Sequence, residues 1–242
     1  MEGKVLMIGP SNGWLFAQKI FDFSEQRKFL RASGANATEL VMALTDEARQ
    51  RAMLDGERLG FIFLTIHLDD YYPEKPLEEQ LSLVKTIFTK QNAVAGVMHP
   101  INIPDFFIEG LTAKGIPLAI ENLDKDKPCG FAVEELQKLI ERHKLAFVLD
   151  VQHAFSQDPD MAYAWDLYQM VKPHLCYLHV SGQNDKTAHS LVHLSLNTCK
   201  IVEFLGKVLS EKKLPIILEG QYEAIYQLKH EIGFLKDELG FL

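Results

Sequence analysis

Cysteine is scarce in this chain, and the scarcity bears on the compartment in which the protein works. The sequence has three cysteines among 242 residues, Cys129, Cys176 and Cys199, and no two of them form a Cys-x-x-Cys pair. Three cysteines cannot all pair within one chain, and disulfide frameworks belong to oxidising compartments. The sequence therefore predicts a cytoplasmic protein whose thiols stay reduced.

Long apolar runs are missing as well. The N-terminal segment reads MEGKVLMIGP and has no basic region followed by an apolar run of signal-peptide length. No stretch approaches the about 20 apolar residues that a membrane-spanning helix needs. We therefore expect neither a membrane span nor a membrane partner.

Positive charge is in the minority. Lys and Arg together number 25 against 33 Asp and Glu, which gives a formal net charge of -8. This balance disfavours a broad nucleic-acid-binding face, although a local basic groove is compatible with it. The hydrophobic content of 47% is ample for a large core.

Apolar, strand-like runs alternate with longer amphipathic segments along the whole chain, and no Gly-x-Gly-x-x-Gly turn interrupts them. The predicted strands are Val5–Ile8, Ala37–Ala43, Phe61–Ile66, Ala93–Met98, Leu118–Ile120, Leu145–Leu149, Leu175–Leu178 and Leu214–Leu218. Eight strands, each followed by a helix, are typical of a (β/α)8 TIM barrel. We predict an α/β fold in which residues 1–242 form a single barrel domain.

Six consecutive predicted strands end on a residue that can bind a metal ion. These residues are His67, His99, Glu121, Asp150, His179 and Glu219, each directly after an apolar run. The carboxyl ends of the strands of a parallel barrel converge on one rim, where the active sites of this architecture lie. The six side chains should therefore meet around one centre.

The absence of cationic side chains at these strand ends favours a metal site. Converging carboxylates would raise one another's pKa sharply unless a divalent ion neutralised them. Asp and His are good ligands for zinc or manganese. His153 follows Asp150 by three residues, and His189 lies in the loop after the seventh strand, so both are further ligand candidates. Whether Asp185 in that loop also contributes is open.

Two local motifs strengthen the pattern: Ile-Glu-Asn around Glu121, and Asp-x-x-His-Ala-Phe from Asp150. With the strand-end series, they resemble the xylose isomerase-like TIM barrels and, within them, the endonuclease IV type. This resemblance implies a three-zinc phosphodiesterase that acts at abasic sites in DNA. Tyr71 and Tyr72 would then be available to stack on a base or sugar, with local packing of this turn as the alternative.

The resemblance also implies a distribution of the ligands. The first ion would take His67, His99 and a bridging Glu121; the second would take Glu121, Asp150, His179 and Glu219; the third would take His153, His189 and an aspartate. The sequence departs from the pattern at the third ion. Thr187 stands two residues before His189, where the family has an aspartate, and Asp185 could replace it only in a reshaped loop.

Resemblance to the sugar isomerase and epimerase branch of the same barrels supports a rival function. Those enzymes hold one divalent ion with a set matched here by Glu121, Asp150, His179 and Glu219. The two glutamates, Glu121 and Glu219, would then be catalytic and exchange protons with the substrate. His153 would contact substrate hydroxyls in this alternative.

The joint presence of His67 and His99 favours the multinuclear alternative. We therefore predict a metal-dependent, endonuclease IV-like enzyme that hydrolyses phosphoesters and holds two or three ions, zinc or alternatively manganese. Its substrate would be a small sugar or phosphoester, or damaged DNA. A metal-dependent sugar or sugar-phosphate isomerase or epimerase is the alternative, and a non-catalytic metal-binding barrel is the third hypothesis.

Overall fold

The strands lie side by side in one parallel sheet. The computed structural model describes residues 5–68, 70–101 and 103–241. The strands are β1 (Ile8–Pro10), β2 (Ala37–Val41), β3 (Phe63–His67), β4 (Ala95–Met98), β5 (Leu118–Glu121), β6 (Ala146–Asp150), β7 (Leu175–Val180) and β8 (Ile216–Leu218). Their order in the sheet is β1-β8-β7-β6-β5-β4-β3-β2. Consecutive strands from β2 to β8 therefore pair with one another, and β1 pairs with β8, as in a TIM barrel.

Helices connect the strands and cover the outside of the sheet. They are α1 (Gly13–Ala17), α2 (Phe23–Ala32), α3 (Glu47–Asp55), α4 (Leu77–Gln91), α5 (Asp105–Ala113), α6 (Val133–His143), α7 (Val151–Gln157), α8 (Ala162–Val171), α9 (Thr198–Glu211) and α10 (Ile225–Glu238), with a 3-10 helix at Val192–Leu194. Within the described ranges, none of these helices has the length and apolar character needed to cross a membrane.

The barrel closes between β1 and β2, where the two strands meet at a narrow seam. A bridge pairs Ser11 with Glu39, and the amide of Asn36 donates to the carbonyl of Ile8 at 3.0 Å. A Cβ atom on Gly9 would lie 1.8 Å from the carbonyl oxygen of Ala37, so only glycine permits this approach. The prediction of a (β/α)8 barrel is confirmed.

A layer of apolar side chains fills the barrel beneath its carboxyl-end mouth. It consists of Ala37, Val97, Ala119, Val148, Tyr177 and Ile217. Residues two apart on a strand point to the same face of the sheet. Two residues further along the same six segments stand Glu39, His99, Glu121, Asp150, His179 and Glu219. Because of this alternation, a layer of polar side chains lies directly above the apolar layer.

Several predicted boundaries are wrong at the strand–helix junctions. The first strand is Ile8–Pro10 rather than Val5–Ile8, because Gly9 belongs to the seam and not to a turn. Asp46 caps α3, because its side chain accepts from the amide of Arg49 at 3.0 Å. The short helices α1 and α7 were not predicted at all. Each has fewer than two full turns and therefore little periodicity to detect.

Candidate metal centre

Glu121 occupies the middle of the barrel mouth, with its two carboxylate oxygens facing different histidines. Its Oε1 atom lies 2.8 Å from Nε2 of His99 and 3.6 Å from Nε2 of His67. Its Oε2 atom lies 2.6 Å from Nδ1 of His179. The Glu121 side chain is buried, so its charge must be matched within this cluster.

Asp150 and Glu219 complete the side of the mouth that faces His179. Nδ1 of His179 lies 3.3 Å from Oε1 of Glu219, and Asp150 is paired with His179 in the register of β6 and β7. Oδ1 of Asp150 accepts from the amide of His153 at 2.6 Å and thereby caps α7. Its other oxygen, Oδ2, is left for the site.

Asn122 fixes the position of Asp150 from the neighbouring strand end. Its side-chain oxygen accepts from the amide of Asp150 at 2.8 Å, and its side-chain nitrogen donates to the Asp150 carbonyl at 2.9 Å. The backbone carbonyl of Asn122 also accepts from Nδ1 of His153 at 2.9 Å. The Asn122 side chain thus extends the β5–β6 pairing by a residue, and side chain and backbone together align two predicted ligands.

The donor atoms of the mouth fit divalent ions. Four buried polar atoms of the mouth have no hydrogen-bond partner among the described residues: Oε1 of Glu39, Oε2 of Glu121, Nδ1 of His179 and Oδ2 of Asp150. The close approach of the Glu121 and His179 atoms therefore lacks the geometry of a hydrogen bond. Ligand atoms of His67, His99 and Glu121 lie within 4.8 Å of one another, and so do those of a second group, Glu39, His179 and Glu219. Carboxylate oxygen and imidazole nitrogen are the donors that zinc and manganese take.

A further pair of predicted ligands lies to one side of Glu121. The rings of His153 and His189 are 5.7 Å apart and edge-on. An aspartate, Asp124, lies beside His153, whereas Asp185, the aspartate considered from the sequence, is exposed on its loop. Oδ2 of Asp124 lies 3.6 Å from Nε2 of His153. Asp124 follows Glu121 by three residues, which is a signal that the strand-end pattern does not capture.

The loop that carries His189 is anchored from below by a buried carboxylate of α10. Glu231 accepts from the amide of Val192 at 2.5 Å, from the amide of His193 at 3.3 Å and from the His193 ring. Gly182 and Ser190 form an antiparallel bridge across the base of the loop. The side chain of His193 is therefore occupied in this anchor, away from the barrel mouth.

Glu39 is a polar residue of the barrel that we did not predict. It lies in β2 and is fully buried, and Nε2 of His179 is 3.2 Å from its Oε1 atom. The strand-end criterion missed it because two further strand residues follow it. The alternation offers the missing signal, since Glu39 stands two positions after the inward-facing Ala37.

Histidine and carboxylate shift each other's pKa in the centre of the mouth. Burial raises the pKa of Glu121, but the charge of His179 outweighs this and brings the pKa well below its usual range. Burial lowers the pKa of His179, but the carboxylates of Glu219 and Glu39 raise it well above its usual range. The pair is therefore an imidazolium beside a carboxylate when no ion is bound.

Other groups at the mouth hold protons into the alkaline range. Burial lowers the pKa of His67, but the hydrogen bond and charge of Glu121 raise it to about 9. His153 also reaches a pKa of about 9, because the charge of Asp150 outweighs the effect of burial. Burial raises the pKa of Glu219 to about 8. A metal ion must displace these protons to bind.

Two adjoining cavities open over the site. The smaller, of about 330 Å³, is lined by His67, His99, Glu121, Asp124, His153, His189 and Glu219 with four other residues, among them Lys127. The larger, of about 960 Å³, shares His189 and Glu219 with it. Trp14 and Tyr222 form an aromatic wall of the larger cavity, with ring centroids 5.5 Å apart. Among the described residues that line the larger cavity, none is Lys or Arg.

The tyrosines considered for base stacking lie outside these cavity walls. Tyr71 packs edge-on against Phe106 at 5.2 Å between ring centroids, and against Phe107 at 5.4 Å. Tyr72 is 39% exposed, and its backbone amide donates to Gln80. Tyr71 therefore packs against its own chain, which is the alternative to stacking on a base or sugar.

Comparison with known proteins gives similarity of fold without similarity of sequence. No family model and no curated protein matches the chain. A D-tagatose 3-epimerase-like protein is 14% identical, with a TM-score of 0.67 and 97% of each chain covered. A xylose isomerase domain containing protein from Salmonella typhimurium is 14% identical, with a TM-score of 0.64 and 99% of each chain covered. Endonuclease IV from Thermus thermophilus is 17% identical, with a TM-score of 0.63, 91% of this chain covered and 95% of that chain covered.

These similarities confirm the resemblance to xylose isomerase-like TIM barrels at the level of the fold. The same barrel is found in an epimerase-like protein and in an endonuclease. The choice between the two chemistries therefore has to come from the residues at the mouth.

The raised pKa values predict how the stability of the metal-free protein changes with pH. His67 and His153 have pKa values of about 9 in the folded chain, against 6.5 for free histidine. The folded chain thus binds more protons than the unfolded one, and its free energy of unfolding falls as pH rises from about 6.5 to about 9. The raised pKa of Glu219 acts in the same direction. Thermal unfolding of chelator-treated protein across this range measures the effect.

Binding of metal should counteract this loss of stability at higher pH, because ligands free of protons bind ions more tightly. The increase in melting temperature on adding zinc should therefore be larger at about pH 8.5 than at about pH 6. The variant His67→Asn should show a shallower pH dependence in the metal-free state. A metal-free melting temperature that holds or rises up to pH 9 would contradict the assignment.

Proposed function

We propose that this chain is a metal-dependent enzyme that hydrolyses phosphoesters with two divalent ions held on either side of Glu121. One observation carries the proposal: the two oxygens of this carboxylate face separate sets of histidines. Oε1 faces His67 and His99, and Oε2 faces His179. A carboxylate shared in this way is the arrangement that a two-ion site needs, and a one-ion isomerase gives His67 and His99 no comparable task.

The side chains divide into two ligand sets. His67 and His99 with Oε1 of Glu121 would hold the first ion, and Asp150, His179 and Glu219 with Oε2 of Glu121 would hold the second. Zinc fits these donors, and manganese is the alternative. When bound, two such ions stabilise the charge on phosphoryl oxygens and make water acidic enough to attack at neutral pH.

The charges around the mouth favour a small substrate over a DNA duplex. The chain carries a net charge of -8, and no Lys or Arg belongs to the described lining of the larger cavity. Binding to nucleic acid draws most of its affinity from Lys and Arg contacts to phosphates. A single phosphoester needs no such surface, because bound ions neutralise its charge. We therefore propose a small phosphoester as the substrate and keep abasic DNA as a test.

A sugar isomerase or epimerase is the second candidate, and the larger cavity supports it. The wall of Trp14 and Tyr222 lies beside Glu219, whose pKa of about 8 suits proton exchange near neutral pH. Aromatic side chains offer apolar faces to ligands such as sugars. A non-catalytic barrel comes third, because the ligand residues predicted from the sequence are all retained around the mouth.

A single substrate panel separates the hydrolase from the isomerase. Metal-replete protein is offered a chromogenic phosphodiester, a phosphomonoester, abasic-site DNA and a set of ketoses in heavy water. We expect phosphoester cleavage and no deuterium in any ketose. Glu121→Gln should lower cleavage by about 1,000-fold or more, because one ligand set loses its oxygen and the other keeps only an uncharged one, whereas Glu219→Gln disturbs a single set. The rates of the two variants are measured at saturating zinc.

The control for this panel is His143→Gln, which alters a histidine bound to Asp105 on the outside of the barrel. It should retain the wild-type rate. If deuterium enters a ketose and every phosphoester stays intact, the proposed hydrolase activity is wrong and the isomerase is supported. Equal and complete losses in the Glu121 and Glu219 variants during that exchange would assign them as the acid–base pair.

Removing one histidine should remove one ion. His99 is about one-third exposed and contacts Glu121 with a single nitrogen, so His99→Ala opens no large cavity in the core. We expect its metal content to fall by about one ion per chain while the circular dichroism spectrum stays unchanged. Elemental analysis of protein purified without chelator measures this. An unchanged ion count would favour the one-ion isomerase.

We further propose that Asp124 joins His153 and His189 in a third ion position. Nδ1 of His153 donates to the carbonyl of Asn122, which leaves Nε2 on the side of Asp124, and all three side chains line the smaller cavity. Asp124→Asn should then lower the zinc content by about one ion per chain, as ligand loss does at a metal site. Asp185→Asn is the matched control and should leave the count unchanged. A loss of one ion in Asp185→Asn, with an unchanged count in Asp124→Asn, would make Asp185 the ligand of the third ion.

A further inference from the structure

Glu39 is a carboxylate buried inside the barrel, in the same polar layer as the proposed ligands. It is fully inaccessible to solvent, and it lies opposite Thr65 in the register of β2 and β3. An ionised carboxylate is costly to bury unless donors and an opposite charge satisfy it. A buried carboxylate at this position therefore calls for a specific task.

Three donors converge on this carboxylate. The hydroxyl of Thr65 donates to Oε2 at 2.9 Å, and the hydroxyl of Tyr177 donates to the same oxygen at 2.6 Å. Nε2 of His179 lies 3.3 Å from Oε2 and 3.2 Å from Oε1. The two hydroxyls hold the carboxylate in place, and the imidazole is the one partner that also reaches the barrel mouth.

The contact determines which nitrogen of His179 faces the site. An ionised carboxylate only accepts hydrogen bonds, so Nε2 of His179 must carry the proton that it shares with Glu39. Once a metal ion displaces the second proton of the ring, Nδ1 has its lone pair free, and it lies 2.6 Å from Oε2 of Glu121 and 3.3 Å from Oε1 of Glu219. The ring is thereby turned with its ligand atom toward the mouth.

We propose that Glu39 is a positioning residue that fixes the tautomer and orientation of His179 for metal binding. The inference rests on the proposed metal site, but not on the reaction that the site catalyses. Carboxylates that hold the second nitrogen of a ligating histidine strengthen metal affinity in this way. Glu39, Thr65 and Tyr177 thus form a polar support beneath the ion that His179 binds.

Glu39 could instead be a metal ligand itself, because its oxygens lie within 4.8 Å of ligand atoms of His179 and Glu219. The geometry argues against that role. Glu39 approaches the ring at Nε2, whereas Glu121 and Glu219 approach it at Nδ1, so the carboxylates of the mouth are the ones that face an ion bound at Nδ1. Two hydroxyl donors and the imidazole already occupy Oε2 of Glu39. Oε1 has no hydrogen-bond partner among the described residues and lies 3.2 Å from Nε2 of His179.

The test compares two substitutions of Glu39 that differ in their ability to accept a hydrogen bond. The carbonyl oxygen of Glu39→Gln can still accept from Nε2 of His179, whereas Glu39→Leu has no acceptor. Zinc affinity, measured by competition with a chromogenic chelator, should fall about 10-fold in the first variant and about 100-fold in the second. The ion count at saturating zinc should match that of the wild type in both.

A spectroscopic measurement on the zinc-loaded protein reports the tautomer directly. Nitrogen-15 NMR of histidine-labelled protein should show His179 with a proton on Nε2 and the metal on Nδ1 in the wild type. This assignment should weaken in Glu39→Leu. The matched control is Asp105→Asn, which breaks a carboxylate–histidine pair with His143 outside the barrel and should change neither the affinity nor the His179 signal.

Each failure has a separate signature. Loss of one ion at saturating zinc in both Glu39 variants would make Glu39 a ligand and overturn the positioning role. Wild-type affinity in both variants, or a proton on Nδ1 of His179, would overturn it as well. If Glu39→Leu does not fold, the affinity and spectrum of Glu39→Gln decide. A wild-type protein that binds no ion would overturn the proposed metal site, and this role with it.

Discussion

The burial of several carboxylates at one end of the barrel is the constraint on which the site depends. Glu39, Glu121 and Asp150 are inaccessible or nearly so, and the partners that face them are histidines rather than Lys or Arg. In the metal-free chain, protons on those histidines balance the charge. Metal ions and protons compete for the same ligand atoms. Binding of a metal ion therefore replaces the histidine protons as the charge that balances the carboxylates.

The pleat of the strands explains why so much of the site was visible in the sequence. Residues two apart share a face, so an apolar inner layer is followed at a fixed interval by a polar layer. A strand that ends on Asp150 or Glu219 marks this step, because the apolar run stops there. The eight-fold alternation and the resemblance in fold were predicted for the same reason, since both rest on local patterns.

What the sequence did not reveal depends on contacts between distant segments. Glu39 lies 140 residues from His179, and nothing local marks it as a partner. Asp124 gains its position beside His153 from the packing of the loop after β5 against α7, a helix too short for its periodicity to be recognised. The start of β1 depends on the seam at Gly9, where the carbonyl of another strand occupies the space of a side chain.

Asp150 serves both the cap of α7 and the barrel mouth, and this double role limits the residues that can replace it. Its Oδ1 atom caps α7 through the amide of His153, and its Oδ2 atom is free for the mouth. Asparagine would keep the cap and lose the charge, glutamate would keep the charge and displace the cap, and alanine would lose both. None of these three replacements keeps both the helix cap and the charge. Substitution at position 150 is therefore selected against for as long as the barrel mouth is under selection. Descendants that abandon the site should therefore accept asparagine at this position and keep the first turn of α7.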